Sequence, residues 1–211
     1  MVESHAIALH GPLAYPAPTM ASTINDAHIG GLTLPDLLRD ALDVVFIGIN
    51  PSLYSASQRH YFARRTNRFW PCFSRSVLSN TPRQALGVTR LEPEHDRALP
   101  EHGFGFTDLV KRPTARASDL QPKELAFGVA TLASKLERYK PRIACFHGMT
   151  GYRHVQRELA PSATDFVLGP QSLQIGVTRL FVVPNPSGAN AHFTPADQTR
   201  WYDRLADGLT R

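Results

Sequence analysis

The chain has 211 residues, 42% hydrophobic and 19% charged, which suits one soluble globular domain with a substantial core. Lys and Arg number 23 against 18 Asp and Glu, and the net charge of +5 favours a polyanionic partner. Only Cys72 and Cys145 are present, so a disulfide framework, a tetrathiolate metal site and a four-cysteine iron–sulfur cluster are all excluded.

No apolar run approaches the roughly 18 to 20 residues of a membrane span. The opening MVESHAIALHGPLAYPAP has no basic segment followed by an apolar one, so the expected location is a bacterial cytoplasm, near the nucleoid, or a nucleus. Residues 1–31 mix Pro, Ala, Ser, His and Gly without a period and read as a tail or loosely ordered arm. A single domain is expected over 32–211. Leu34 to Leu38 then suggests a short helix or turn, with proline early and leucines on one side.

Val44-Val45-Phe46-Ile47 is an apolar run too short for a helix and reads as a buried strand. Gly48-Ile49-Asn50-Pro51-Ser52 stops it, since proline denies the next ladder bond, and a loop dense in arginine and aromatics follows. Thr66 or Asn67 can cap a helix with Phe69, Trp70, Phe73 and Val77 near one face. Pro71 fits only if that helix starts at about Asn67. Residues 80–102, with three prolines, read as a surface excursion with at most a short helix.

Gly103 to Val110 reads as a short strand or a loop under the sheet edge, followed by three cations in Lys111 to Arg116. From Gln121 a helix is well signalled: Pro122 suits its first position, Glu124 its third, and Leu125, Val129, Leu132 and Leu136 share a face. Ile143 to Phe146 is a second buried strand, Thr150 to Leu159 a short helix, and Ser172 to Gly176 and Thr178 to Val183 two more strands. Thr194-Pro195 caps a last helix carrying Trp201, Tyr202 and Leu205. Strands alternating with helices predict an α/β fold, a mainly parallel sheet with helices on both faces.

Two strand ends, Gly48 to Ser52 and Pro184 to Asn190, break into loops of Asn, Pro, Ser and Gly. Singly, each is ordinary turn chemistry. Together at one end of a sheet they form opposing walls of a cleft. Gly48-Ile49-Asn50-Pro51, then Asn67-Arg68-Phe69-Trp70, then Thr107 to Thr114, and finally Asn185-Pro186-Ser187-Gly188 resemble the mismatch-specific uracil/thymine-DNA glycosylase family, in its order and with similar spacing.

That resemblance implies a three-layer α/β/α sandwich of the uracil-DNA-glycosylase kind, a monomer without metal or cofactor. It implies hydrolysis of the N-glycosidic bond of uracil, or of thymine or a related damaged pyrimidine, in DNA and above all opposite guanine. Such an enzyme extrudes its nucleotide, so it needs a phosphate clamp, a wedge and a base pocket. By motif position Asn50 holds the hydrolytic water through its side-chain oxygen, orienting rather than deprotonating it. Phe62 stacks on the flipped base, a contact worth roughly 1–3 kcal/mol. Ile49 offers backbone groups to the base edge, and Ser55 a hydrogen bond.

Asp108 has two readings: a carboxylate that activates water or stabilises the cationic sugar, and a turn aspartate paired with Lys111 or Arg112. Arg59, Arg64, Arg65 and Arg68 with the intervening aromatics make a patch suited to phosphates and unstacked bases. Asn185, Ser187 and Gly188 supply positioning contacts to phosphate. Two positions depart from the family pattern. Ser52 replaces the usual glycine and adds a hydroxyl at the pocket mouth. Ala189 replaces a larger wedge, leaving Asn190, His192 or Phe193 to fill the gap, or the enzyme to prefer weakly paired or single-stranded DNA. Competing readings are a feebly catalytic damage-binding module, a glycosylase for another lesion such as hypoxanthine, and a hydrolase with Ser52 or Ser187 as nucleophile.

Overall fold

The computed structural model describes residues 32–163 and 167–210, so the expected N-terminal arm over residues 1–31 lies outside the described residues. Five strands form one sheet in the order β2-β1-β3-β5-β4. They are β1 (Val44–Gly48), β2 (Phe104–Asp108), β3 (Ile143–His147), β4 (Gly169–Ile175) and β5 (Thr178–Val183). All neighbours run parallel except β4, which turns back antiparallel on β5.

Alternation along the strands explains the layers. On β1, Val44 and Phe46 point to one face and Val45 and Ile47 to the other, and all four are fully or almost fully buried. The first face is covered by α2 (Phe69–Arg75) and α6 (Pro195–Leu209), which contribute Phe69, Trp70, Phe73, Tyr202 and Leu205. The second is covered by α4 (Pro122–Tyr139) and α5 (Met149–Leu159), through Leu125, Val129, Leu132, Leu136 and Val155. Each large apolar side chain so enclosed contributes about 1.5–3 kcal/mol. The result is the expected three-layer α/β/α sandwich with a mainly parallel sheet.

The expected start of α4 holds for the reason anticipated, and that of α2 shifts. The Glu124 carboxylate accepts from the Gln121 N–H at 2.8 Å at the start of α4, whereas α2 starts at Phe69 with Arg68 as an N-cap that makes no capping bond, and Asn67, expected as the cap, accepts from the Phe69 N–H at 2.8 Å from one position earlier. Gly128 in α4 lies so close to the chain leaving β2 that a Cβ there would sit 2.3 Å from the Leu109 carbonyl oxygen. That contact sets the path of the segment after Asp108.

Other segments differ from their expected form. Leu34 to Leu38 is no helix: Leu37 exchanges two backbone hydrogen bonds with Phe106 as an antiparallel bridge that covers the β2 edge. The arginine-rich loop contains α1 (Leu53–Gln58), capped by Ser52 and closed by Arg59 at φ 60°. Val77 is not on the α2 core face but 58% exposed in a separate turn. Residues 80–102 hold α3 (Asn80–Ala85) and a 3-10 stretch, Pro93–His102, and they bury Leu91, Asp96 and Leu99. β4 starts at Gly169 rather than Ser172.

Candidate active-site cleft

Because β1, β2, β3 and β5 are parallel, Gly48, Asp108, His147 and the chain after Val183 emerge at one end of the sheet. The chain moves from β1 outward to β2 and then back past β1 to β3, and a crevice forms where the winding reverses. A cleft of about 440 Å³ opens there. Ile49, Asn50, Ser52, Ser55, Phe62 and Asp108 line it from one side, and Asn185, Ser187, Gly188 and Ala189 from the other. Arg65 and Asn190 are not among its lining residues. Arg65 lines an adjoining groove with Arg64 and Tyr54.

Asn50 is fixed by its amide nitrogen. Nδ2 donates to the Arg112 carbonyl oxygen at 2.9 Å and to Thr114 Oγ1 at 2.8 Å. A carbonyl only accepts, so the nitrogen must face it and Oδ1 is left as the acceptor on the cleft side. Thr114 is itself held, because its hydroxyl donates to the Arg116 carbonyl and its N–H to the Pro51 carbonyl. Thr114 is a site residue that sequence reading did not single out, and no local signal connects it to an asparagine 64 positions earlier.

Asp108 sits opposite Gly48 in the β1–β2 register and is 4% exposed. A Cβ on Gly48 would lie 2.6 Å from Asp108 Oδ1, so only glycine lets this carboxylate approach the strand end. Its Oδ2 accepts from Lys111 Nζ at 3.3 Å. Arg112 takes no part, since it pairs with Glu124 at 2.6 Å. Burial pushes the Asp108 carboxyl above the ordinary carboxylate range, against the pull of Lys111. Asp108 is thus paired with Lys111, as the turn reading expects, and it also lines the cleft.

Phe62 has φ 53°, an uncommon conformation for a bulky residue, at the edge of the cleft. Phe69 stacks on one face of its ring with centroids 4.4 Å apart. His147 lies edge-on to it at 5.0 Å, and its Nε2 is 2.9 Å from the Tyr202 hydroxyl. Burial holds the His147 pKa down at about 3, so the ring is neutral at physiological pH. The strand expected over Ile143 to Phe146 leaves His147 in the loop beyond it; His147 is instead the last residue of β3, buried in the aromatic floor of the cleft.

Ser52 lines the mouth, but its hydroxyl accepts from the Ser55 N–H at 3.0 Å as the α1 cap and donates to Ser55 Oγ at 3.1 Å. Across the cleft, Asn185 Oδ1 accepts from the Ser187 N–H at 2.9 Å, and Asn190 Nδ2 donates to the Asn185 carbonyl at 2.9 Å. Asn190 thus stitches the loop together rather than standing free as a wedge. Arg68, read as a phosphate ligand, is instead turned inward. Its guanidinium donates to the carbonyls of Ser187, Asn190 and Phe193. Gly188 packs on Thr66, where a Cβ would meet the carbonyl oxygen at 2.6 Å.

Among the described residues no histidine is hydrogen-bonded to the Ser52 or Ser187 hydroxyl, which leaves the serine-hydrolase reading without a base. The described residues also hold no cluster of three His, Cys, Asp or Glu fit for a metal ion.

Residues 35–206 match the family described as the uracil DNA glycosylase superfamily. The fold is similar to the solution NMR structure of a protein from Methanosarcina acetivorans, provisionally described as a uracil DNA glycosylase. The two are 19% identical with a TM-score of 0.50, over 83% of this chain and 98% of that one. With the family match extending from the segment before β1 into α6, and the cleft at the strand ends between, this chain belongs to the uracil DNA glycosylase superfamily.

Proposed function

We propose that this chain is a monofunctional DNA glycosylase that hydrolyses the N-glycosidic bond of uracil in DNA, including uracil mispaired with guanine, and works as a monomer without a cofactor. The observation that carries the reading is the Asn50 amide. With Nδ2 held by Arg112 and Thr114, its Oδ1 is a fixed acceptor for one water in a cleft that the buried Asp108 carboxylate also lines.

In this reading the extruded nucleotide enters the cleft and its base lies along Phe62, whose far face is supported by Phe69. The C1′–N bond breaks with its electron pair leaving on the base, and the sugar develops oxocarbenium character. The water held by Asn50 adds through oxygen to C1′, and its proton passes to Asp108. Free base and an abasic site result. A carboxyl raised by burial is a better proton acceptor near neutrality than an ordinary aspartate, and its charge faces the cationic sugar. Ala189, small and exposed at the rim, fills little of the gap in the duplex, which favours weakly paired or single-stranded uracil over well-paired thymine.

The test is single-turnover cleavage of labelled oligonucleotides carrying uracil opposite guanine, opposite adenine and in single strand, with alkali to reveal abasic sites. Excision is expected in all three, slowest opposite adenine. No excision alongside salt-sensitive binding would point instead to a damage-binding module.

A further inference from the structure

Behind Asp108 lies a charged network that the hydrolytic scheme does not use. Lys111 Nζ is 3.3 Å from Asp108 Oδ2, 2.9 Å from Asp36 Oδ1 and 3.1 Å from the Tyr61 hydroxyl, so its three N–H donors have three acceptors. Tyr61 is buried and gives its own proton to the Pro35 carbonyl at 3.0 Å, which leaves its oxygen free to accept from Lys111. Asp36 is shared: its Oδ2 is 2.6 Å from Lys135 Nζ of α4, and the Thr107 hydroxyl donates to Oδ1, the oxygen that faces Lys111, at 2.8 Å.

The groups facing Asp108 are therefore Lys111 from its own loop, Asp36 from the segment ahead of β1 and Tyr61 from the loop after α1, with Lys135 behind Asp36. Two carboxylates and two ammoniums balance. Asp108 is 4% exposed and, among the described residues, Lys111 is its one cationic contact, whereas Asp36 has two. Removing Lys111 would leave the almost fully buried Asp108 facing the half-buried Asp36 carboxylate, with Lys135 left among the described residues to offset them.

Building on the proposed role of Asp108 as proton acceptor, we infer that Lys111 is a positioning residue that holds the Asp108 carboxylate charged and aimed at the cleft, with Tyr61 fixing the ammonium and Asp36 competing for it. Surface ion pairs do little, but this one is built into the end of β2, where the Asp108 side chain is almost fully buried.

The experiment is the pH profile of the single-turnover rate on single-stranded uracil oligonucleotide, for wild type, Lys111→Met, Lys111→Arg, Asp36→Asn and Asp108→Asn. Wild type is expected to lose rate below an acid-limb midpoint. Lys111→Met should move that midpoint upward by at least one pH unit, a tenfold loss at a fixed pH on the limb, while the alkaline plateau stays within a few-fold of wild type. Lys111→Arg should restore most of the shift. Asp36→Asn should move the midpoint downward, because it removes a like charge and releases Lys111 to Asp108 alone.

An equal loss at every pH for Lys111→Met, or an unmoved midpoint, overturns the inference. Should Lys111→Met fail to fold by circular dichroism, the sign of the Asp36→Asn shift decides: downward supports the inference and no shift or an upward one overturns it. A profile of Asp108→Asn that keeps the wild-type acid limb overturns the catalytic reading of Asp108 and this inference with it. If instead that limb vanishes while Lys111 variants leave it in place, only the inference falls.

Discussion

The two walls of the cleft are held by opposite means. On the β1–β2 side, Asn50 and Asp108 sit at the ends of buried strands, and apart from the Arg112 carbonyl that holds Asn50 their partners are side chains: Thr114, Lys111 and, through it, Asp36 and Tyr61. On the other side, Asn185 to Asn190 is largely exposed, and what shapes it is backbone, gathered by the Arg68 guanidinium and by turns closed through Asn185 and Asn190. Chemistry needs a fixed low-dielectric environment, where a charge or dipole acts strongly. A DNA-contacting loop needs exposed N–H and hydroxyl groups in a set shape, with its organising charge spent inward.

If that division is right, substitutions on the first wall change rate and those on the second change binding. The largest effect is expected for Asn50→Ala, which removes the water-holding oxygen: about a 10³-fold lower single-turnover rate with DNA affinity within a few-fold of wild type. Loss of affinity with a normal rate on bound substrate would reverse the assignment of the two walls.

Asp108→Asn comes next, with about a 10²-fold loss of rate. Its stability should move the other way. Burial is the dominant influence on Asp108 and raises its folded-state pKa, so the folded protein holds this proton more tightly than the unfolded chain does. The favourable contribution is present below the unfolded value and fades as pH rises through the folded one. Above that point the wild type carries the strain of a buried charge that asparagine lacks. Thermal melts at pH 8 should therefore show the variant at least as stable as wild type, and a clear drop in Tm would make Asp108 a structural anchor instead.

What could be read from the sequence follows the same divide between local and distant causes. The β1 strand and Asn50 were legible because an apolar run and an Asn-Pro break are adjacent in the chain. The α4 helix was legible because its cap, its stripe and its stop are local. The Asp108–Lys111 pair was legible as one option, being three residues apart. Asp36 was not, because it reaches Lys111 and Lys135 only after β1 and β2 have paired, and no spacing records that. His147 was misplaced because strand Ile143 to Phe146 was ended one residue early, which put the ring in a loop. Arg68 was misassigned because a cluster of arginines reads as one patch, whereas Arg68 alone faces the carbonyls of a loop more than 100 residues away. The six-residue α1 escaped notice because Leu53 and Tyr54 are exposed and leave no apolar stripe.

Arg68→Met addresses the second wall directly. Three carbonyls would lose a charged donor, and since hydrogen bonds from charged groups are each worth about 1.5–3 kcal/mol, partly recovered by water, a net loss of about 2–3 kcal/mol is expected in denaturant unfolding. The loop would lose its shape as well. KM for duplex uracil substrate should rise about tenfold while the rate at saturating DNA falls far less. If Arg68 contacted phosphate directly, the variant would also flatten the salt dependence of binding by about one unit of slope, and an inward-facing Arg68 should leave that slope unchanged.

The smallest effect belongs to Ala189. It is exposed at the rim, and its N–H is 3.3 Å from Ser187 Oγ, so the backbone around it is already set. A larger apolar side chain there would project from a formed loop without disturbing the core. Inserted where the base has left, it would offset part of the few kcal/mol of unstacking that extrusion from a duplex requires, and it would do nothing for a base that is already unpaired. Ala189→Leu should therefore raise the ratio of duplex to single-strand excision by about two- to fivefold, mainly through the duplex rate, with stability unchanged. An equal rise on both substrates would mean that position 189 acts in the base pocket rather than in the duplex.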